Sequence, residues 1–373
     1  MQNLKFTRNV VLKSLLLFLL LNLLFAFASP LPFLGRISAY NLIFPGRQRL
    51  PYGDNPELSY NLSLFNLEAM FASHEIDDKL KLPDEFRVVV IGDSAAWGYL
   101  LQPDETLAAR LTALGLTTPD GRRLVAFNLG YPVMSLTKDL LVLSLAMRYQ
   151  PDLILWPLTL ESFPADKQLF SPLLQHNPQP VRTLIQTYHL NLPANDPGFV
   201  EKSFWDKTII GERRELADII RLQLYGVMWA ATGNDHYISP DYIPRQEDLP
   251  ADERFHEFMP PNLRPEDLSF DVLHAGVQMT GDIPLLIVNE PTFVSQGENS
   301  DIRYNFYYPR WAYDDYRVLL SQECNANAWR CLDLWDAIDA QEFTNTAIHL
   351  TPRGTSLLAN LLGQAILDLS SRP

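Results

Sequence analysis

Five short apolar runs alternate along the chain with segments whose apolar residues recur at helical spacing. The runs are rich in Val, Ile and Leu and are bounded by Gly, Pro, Asn and Asp, which is typical of strands buried on both faces. They are Phe86–Ile91, Leu124–Asn128, Asp152–Trp156, Ile283–Asn289 and Arg330–Trp335. Buried strands that alternate with helices predict an α/β fold: a three-layer, doubly wound parallel sheet of flavodoxin-like connectivity.

The third and fourth runs are much further apart than a crossover connection requires. The excess, about residues 162–264, predicts a helical insertion in a domain that spans 85–373. Its centre, 204–231, predicts one long helix or two short ones, and its tail, 238–265, is a polar, proline-rich surface loop. An insertion of this length is either a lid over a site or a decoration of the fold.

The N-terminal segment 1–28 is basic at first and then apolar. Lys5 and Arg8 precede an apolar block, 10–28, that only Lys13 and Asn22 interrupt. The block is just long enough to cross a bilayer, and its basic flank keeps the N-terminus in the cytoplasm. The alternatives are a cleaved signal peptide, since its end fits an A-x-A site, and a buried core helix. Anchor and signal peptide both place the body outside the cytoplasm, membrane-attached or secreted, with 29–84 as a stem.

The formal net charge of −14 over 373 residues excludes nucleic acid as the expected partner. The chain shows neither a glycine-rich phosphate loop nor the ligand spacing of a metal site, so we expect no cofactor and no metal. Two cysteines, Cys324 and Cys331, are present. In an oxidising compartment they form a disulfide, but two free buried thiols fit the sequence equally well.

Candidate chemistry begins at the end of the first strand, where Gly92, Asp93 and Ser94 follow the apolar run. Ligands of doubly wound sheets bind at the carboxyl ends of the strands. A serine at a helix start there has backbone N–H groups that favour an oxyanion. Asp93 and Ser94 are also good helix caps, and a Gly-Asp-Ser tripeptide after a strand is, taken alone, more often a cap than a catalyst.

A histidine near the C-terminus strengthens the catalytic interpretation. His349 lies in "FTNTAIHLTPRG", residues 343–354, two residues before Thr351, which is predicted to cap the last helix. The loop after the fifth strand opens at the same edge of the sheet as Ser94. A serine and a histidine at one edge predict a nucleophile and its general base.

These residues resemble the SGNH/GDSL hydrolase superfamily. The match comprises the Gly92-Asp93-Ser94 block, Gly130 in "FNLGYP" after the second strand, and His349 before the last helix. The resemblance implies that Ser94 is the nucleophile and His349 the base. It also implies that the N–H groups of Ser94 and Gly130 belong to an oxyanion hole.

Two positions depart from the family pattern. The family's Gly-x-Asn-Asp block is replaced by "WPLTLESF", so Thr159 or Glu161 stands near the place of the oxyanion asparagine. Thr159 can donate a hydrogen bond, whereas an ionised Glu161 cannot. The acid expected three residues before the histidine is replaced by Thr346. Asn345 is then the candidate to orient His349, although Asn also suits a turn.

Serine–histidine chemistry predicts acyl transfer to water or to another hydroxyl. With a membrane anchor, the resemblance points to proteins that acetylate or deacetylate cell-envelope polysaccharides, with an acylated small molecule or polysaccharide as substrate and a membrane-bound acyltransferase as a further partner. The alternatives are a lipid esterase and an inactive module that binds carbohydrate or a membrane partner. Candidates for substrate contact are residues expected beside the site: Asp93, Trp97, Tyr131, Trp156 and Glu161. Core packing is the more frequent role of such aromatic residues, and sugar stacking is the alternative.

Overall fold

The computed structural model describes residues 2–44, 46–52, 65–233, 238 and 241–370. Most of the proline- and glycine-rich segment expected to be irregular, 44–61, lies outside these ranges. The described helices, in chain order, are α1 Gln2–Ala28, α2 Leu31–Gly35, α3 Ala39–Ile43, α4 Leu67–Ala72, α5 Glu75–Asp78, α6 Ser94–Trp97, α7 Leu107–Ala113, α8 Leu136–Ala146, α9 Pro172–Gln175, α10 Pro178–Tyr188, α11 Arg213–Thr232, α12 Phe270–Thr280, α13 Arg310–Ala326 and α14 Pro352–Ser370.

The centre of the fold is a parallel sheet of five strands in the order β2-β1-β3-β4-β5. Its strands are β1 Glu85–Val90, β2 Arg123–Asn128, β3 Leu153–Leu158, β4 Leu285–Asn289 and β5 Arg330–Asp333. The predicted α/β fold is confirmed, since this is the flavodoxin-like strand order. The order reverses between β1 and β3, so the crevice expected to bind a ligand opens where β1 ends.

Helices cover the sheet on both faces because the strand residues are apolar on both faces. Val88 and Val90 pack with α7 and α14 on one face. Val89 points to the opposite face, into a cluster that includes α8, α12 and α13. Each strand is therefore a continuous apolar run rather than an alternating one, as the sequence pattern predicts.

The expectation of a separate stem at 29–84 needs correction. Leu67, Met70 and Phe71 of this segment are buried in the larger core cluster. The ring of His74 is fully buried and its Nε2 lies 3.0 Å from the carbonyl oxygen of Asn128 at the end of β2. The apolar face of α4 needs a partner, and the sheet-flanking layer provides one. The described part of this segment is thus integrated into the globular body.

The segment between β3 and β4 contributes to two different regions. Its centre forms one helix, α11, which packs on α3: Gln223 Oε1 accepts from the backbone N–H of Ala39 at 2.7 Å. Its tail reaches the carboxyl edge of the sheet, where the Arg245 backbone N–H donates to Thr344 O at 3.0 Å. The tail therefore lies against the loop that carries His349.

A disulfide joins Cys324 at the end of α13 to Cys331 in β5, with an S–S distance of 1.99 Å. The sequence left the state of this pair open. Because the two residues are only seven apart, the bond closes a short loop between a helix and the strand that follows it.

Candidate active site

The turn after β1 sets the position of Ser94. Gly92 has φ +143°, and a Cβ there would lie 2.9 Å from Ala96 Cβ, so the turn requires glycine. Asp93 is the N-cap of α6, and its Oδ1 accepts from the Ala95 N–H at 2.8 Å. Ser94 is the first helical residue. Its hydroxyl is therefore held at the carboxyl edge of the sheet by backbone geometry rather than by a flexible loop.

His349 approaches Ser94 from the other end of the chain. The Nε2 atom of His349 lies 2.8 Å from Ser94 Oγ across 255 residues of sequence. The loop that carries the histidine is pinned by its own backbone, since Thr344 N–H donates to His349 O at 2.8 Å. This distance is within hydrogen-bond reach of a general base and its nucleophile.

The other ring nitrogen fixes the tautomer of His349. Nδ1 lies 2.8 Å from Asn345 Oδ1. An amide oxygen can only accept, so Nδ1 carries the proton and Nε2 presents its lone pair to the Ser94 hydroxyl. Thr344 Oγ1 lies 3.3 Å from the same Asn345 oxygen and helps to hold it. The asparagine thus orients the imidazole but brings no negative charge.

Burial keeps the His349 ring neutral. His349 is 7 % exposed, and removal from water lowers its pKa to about 4. The ring of Tyr99 lies over it, with centroids 4.9 Å apart and planes 30° apart. At neutral pH the imidazole is therefore free to take a proton. Tyr99, itself 40 % exposed, was not singled out from the sequence because only the fold brings it to the histidine.

Two of the expected oxyanion donors are engaged elsewhere. The Gly130 N–H donates to Asn128 Oδ1 at 3.1 Å. The Thr159 hydroxyl is fully buried and lies 2.9 Å from the Tyr308 hydroxyl. That these groups complete an oxyanion hole stays a prediction, and it would require both to leave their present partners. The Ser94 N–H remains, because the first N–H groups of a helix have no acceptor within it.

Gly130 is nevertheless required at its position. A Cβ on this residue would lie 2.4 Å from the backbone nitrogen of Trp97. The loop after β2 thus approaches α6 closely, and Asn128 Nδ2 tightens the contact by donating to Trp97 O at 3.0 Å. Only glycine permits this approach, which holds the short helix that begins with Ser94.

The aromatic candidates for sugar stacking pack within the protein. Tyr131 and Trp156 are 1 % and 0 % exposed. Trp97 is half-buried; its indole N–H donates to Leu50 O at 2.9 Å, and the Arg49 guanidinium lies 4.0 Å from its ring centroid. Burial of large aromatic rings stabilises the fold, so these side chains pack inside the protein and do not face a substrate.

Glu161 links β3 to the tail of the insertion. Its carboxylate lies 2.9 Å from Lys167 Nζ and 3.1 Å from His256 Nε2. The hydrogen bond from His256 and the charge of Lys167 outweigh burial and lower the pKa of Glu161. The Glu161 contact in turn raises the pKa of His256. The structure thus shows Glu161 as an anchor for the segment that lies against the His349 loop.

A buried ion pair, not recognised from the sequence, ties the two loops of the site together. Lys138 Nζ donates to Gly92 O and to Tyr131 O, both at 2.7 Å, and pairs with Asp139. Asp139 also accepts from the Trp156 indole at 3.1 Å. The signal was present: two adjacent charges interrupt an apolar helix in "SLTKDLLVL", and a charge buried without a partner is too costly to persist.

Two further carboxyl groups lie beneath Ser94. Asp93 and Glu290 are each 3 % exposed, and Asp93 Oδ2 and Glu290 Oε1 have no hydrogen-bond partner in the described part of the chain. Burial raises the pKa of Asp93 to about 6.

Burial and the Asp93 charge raise the pKa of Glu290 well above its usual range, so Glu290 binds its proton far more tightly than an exposed glutamate. Glu290 also lines a small cavity with His349, Ala95 and Tyr99. Asp93 acts here as a cap within the protein, which corrects its expected role as a substrate contact.

The structure thus combines a doubly wound parallel α/β sheet with a serine–histidine pair, Ser94 and His349, at its switch point. Neither a protein-family model nor a curated protein matches the chain.

Solved structures of similar fold include a carbohydrate acetylesterase family member from Sinorhizobium meliloti, 12 % identical over 77 % of this chain and 99 % of its own, with a TM-score of 0.32. An aryl esterase from M. smegmatis is 11 % identical over 76 % and 99 %, with a TM-score of 0.35. A further carbohydrate acetylesterase from Sinorhizobium meliloti is 11 % identical over 76 % and 100 %, with a TM-score of 0.34. Identities and TM-scores this low carry no argument about function, which is therefore argued from the site geometry.

Proposed function

We propose that this chain is a serine esterase or acyltransferase whose nucleophile is Ser94 and whose general base is His349. The observation that carries the proposal is the 2.8 Å separation of Ser94 Oγ and His349 Nε2, with Asn345 fixing the base in its proton-accepting tautomer. A purely structural role for His349 does not require that its lone pair point at the hydroxyl of Ser94, the first residue of α6. The low pKa of His349 supports the same role, because the base is unprotonated at neutral pH.

The chemistry follows from these contacts. Ser94 Oγ attacks the acyl carbon while its proton moves to His349 Nε2. The ester C–O bond then breaks, and His349 returns the proton to the departing alcohol. Water or a second hydroxyl attacks the acyl-serine, His349 takes that proton, and Ser94 is released with the proton restored. The first acceptor gives hydrolysis and the second gives transfer.

We expect slow turnover because the stabilisation of negative charge is incomplete. The Ser94 N–H is available to an oxyanion, whereas the Gly130 N–H and the Thr159 hydroxyl already have partners. Loss of a single oxyanion donor costs about 10²–10³ in kcat. Asn345, being uncharged, does not stabilise the imidazolium as a carboxylate would. Small activated acetyl esters are therefore the expected substrates in vitro.

The incomplete oxyanion hole also supports a second candidate function. An SGNH-like module that binds an acylated carbohydrate or a membrane partner without turning it over would need the fold and not the donors. Covalent labelling decides between the two.

The deciding experiment is labelling of the full chain with a fluorophosphonate probe, which requires an activated serine. We expect the probe to label the unmodified protein, to fail with Ser94→Ala, and to label Ser356→Ala normally. Ser356 is the matched control because its hydroxyl bonds only Pro352 O within α14. No labelling of the unmodified protein would leave the binding module as the function. Equal labelling of the Ser94→Ala variant would place the activated serine elsewhere and refute Ser94 as the nucleophile.

The cellular setting is part of the proposal: α1 crosses a membrane and the body lies outside the cytoplasm, where a cell-envelope carbohydrate is the substrate class. The described part of the chain has one helix long and apolar enough to cross a bilayer, Lys5–Ala28, with a mean hydropathy of 2.5. At 1.5 Å per residue its 24 residues extend about 36 Å, against about 30 Å of hydrocarbon. The disulfide is further support, since such bonds persist in oxidising compartments.

Protease added to intact spheroplasts tests this setting. The body should be digested while an N-terminal fragment stays protected. Full protection of the body would contradict the orientation, and a mature chain lacking residues 1–28 would replace the anchor by a signal peptide.

A further inference from the structure

The outer end of α1 contacts an exposed apolar surface that the ester chemistry does not use. This surface, here called the collar, consists of α2, α3, the segment 204–210 and α11. Its large exposed apolar side chains are Phe33, Leu42, Ile43, Trp205, Ile210, Ile220, Leu224 and Met228, each more than half exposed.

The collar is continuous with α1. The rings of Phe27 and Phe204 have centroids 5.2 Å apart. The Ile210 backbone N–H donates to Asn22 Oδ1 at 3.2 Å. Asn22 lies six residues before the end of α1, which places its contact about 9 Å along the helix axis from that end. Segment 204–210 therefore runs alongside the part of α1 that would lie in the outer leaflet.

Helix α11 begins three residues after Ile210 and continues the collar. Its buried residues Leu222 and Gly226 face α3 and α4; a Cβ on Gly226 would lie 2.8 Å from the Tyr40 ring. Ile220, Leu224 and Met228, spaced by four, form a stripe on the outer face and are 62 %, 64 % and 57 % exposed. A helix apolar on its outer face as well as its inner one needs a second apolar partner.

We infer that the collar is a membrane-contact surface: it inserts into the interfacial region of the leaflet where α1 emerges and seats the body on the bilayer. The inference rests on the anchoring of α1 in the proposed function, and is independent of the ester chemistry. The Ile210–Asn22 contact, about 9 Å from the end of α1, argues for lipid as the occupant of this surface. Interfacial helices bury their apolar faces to a similar depth, about 5–10 Å. Trp205 is of a residue type that favours this zone, and Lys207 and Arg213 in the same stretch are exposed cations of the kind that pairs with lipid phosphates.

The test places a fluorescent label at single introduced cysteines of the full chain in vesicles of zwitterionic lipid. Cys324 and Cys331 are bonded to each other and do not react without reductant. Labels at Trp205→Cys and Leu224→Cys report the collar, and Leu17→Cys reports the middle of α1. Val318→Cys on α13, whose side chain is 55 % exposed, is the matched control on the body. Thermal unfolding of each variant checks that it is folded.

Lipids brominated near the headgroup should quench both collar labels and leave the label at residue 318 unquenched. Lipids brominated deep in the chain should quench residue 17 most. Collar labels quenched no more than residue 318, with residue 17 quenched, would overturn the inference and leave the anchor intact. An unquenched residue 17 would overturn the anchor and the collar together. Cross-linking of two copies through residue 224 with loss of lipid quenching would assign the collar to a second copy instead.

Discussion

Replacing Asn345 by aspartate should convert a slow enzyme into a faster one. Asn345 Oδ1 already lies 2.8 Å from His349 Nδ1, so the substitution adds charge while conserving shape. A carboxylate and an imidazolium about 4 Å apart attract by about 4 kcal/mol at an effective dielectric constant of 20. Position 345 is half-buried, so solvent screens the attraction and we expect about half of it, about 2 kcal/mol, to stabilise the imidazolium in the transition state. This energy corresponds to an increase of about 30-fold in kcat/KM.

The same charge should change the pH dependence in a determined direction. A carboxylate favours the protonated ring, so the pKa of His349 should rise from about 4 in the unmodified protein to about 5.5. The base is lost as pH falls through this pKa. The acid limb of the kcat/KM profile should therefore move to higher pH while the plateau near pH 8 rises.

The assay is kcat/KM for a soluble aryl acetate between about pH 4 and about pH 8. Asn360→Asp on α14 is the matched control, since it adds the same charge at an exposed position whose side chain bonds only Ser356 O. A higher plateau without movement of the acid limb would mean that the charge acts on something other than His349. No change in either would refute the orienting role of Asn345.

Two further predictions concern the groups buried beneath the site. Lys138→Met should lower the free energy of unfolding by about 3–5 kcal/mol, because it leaves the Asp139 carboxylate buried without its cation. Urea unfolding measures this loss, and the double variant Lys138→Met/Asp139→Leu should recover much of it. An equal loss in the single and double variants would contradict the ion-pair account. The raised pKa of Glu290 makes the unmodified protein lose stability as the pH rises from about 4.5 towards that pKa. Glu290→Gln removes this loss, so the stability gained by the variant should grow by up to about 1.4 kcal/mol per pH unit over the same range. A gain that does not grow with pH would show that Glu290 is ionised in the folded protein.

The expected pairing of Ser94 with His349 illustrates how far local patterns reach. β-branched runs mark buried strands wherever they occur, and alternating strands and helices restrict the sheet to parallel topologies. The carboxyl ends of such strands share one edge, so two strand-end residues can be placed near each other without knowledge of any contact. The 2.8 Å between Ser94 Oγ and His349 Nε2 is consistent with that reasoning.

The hydrogen-bond partners of the polar groups in the site could not be predicted from the sequence. The Gly130 N–H and the Thr159 hydroxyl were expected to face a substrate, yet Asn128 and Tyr308 take them. Tyr308 is remote from Thr159 in the chain, so no local pattern indicates that contact. Buried polar groups take whichever partner the packing brings, and the packing is a property of the whole chain.

The sequence by itself determined the parallel α/β sheet, the apolar N-terminal helix and the edge at which Ser94 and His349 lie, because these depend on the period and length of apolar runs and on strand ends. Only the tertiary structure decided that residues 67–76 belong to the core, that Cys324 bonds Cys331, and that Lys138 joins the loops of the site. Those outcomes depend on which surfaces meet. A short apolar helix, a thiol or a buried ammonium group has no preferred partner until the fold supplies one.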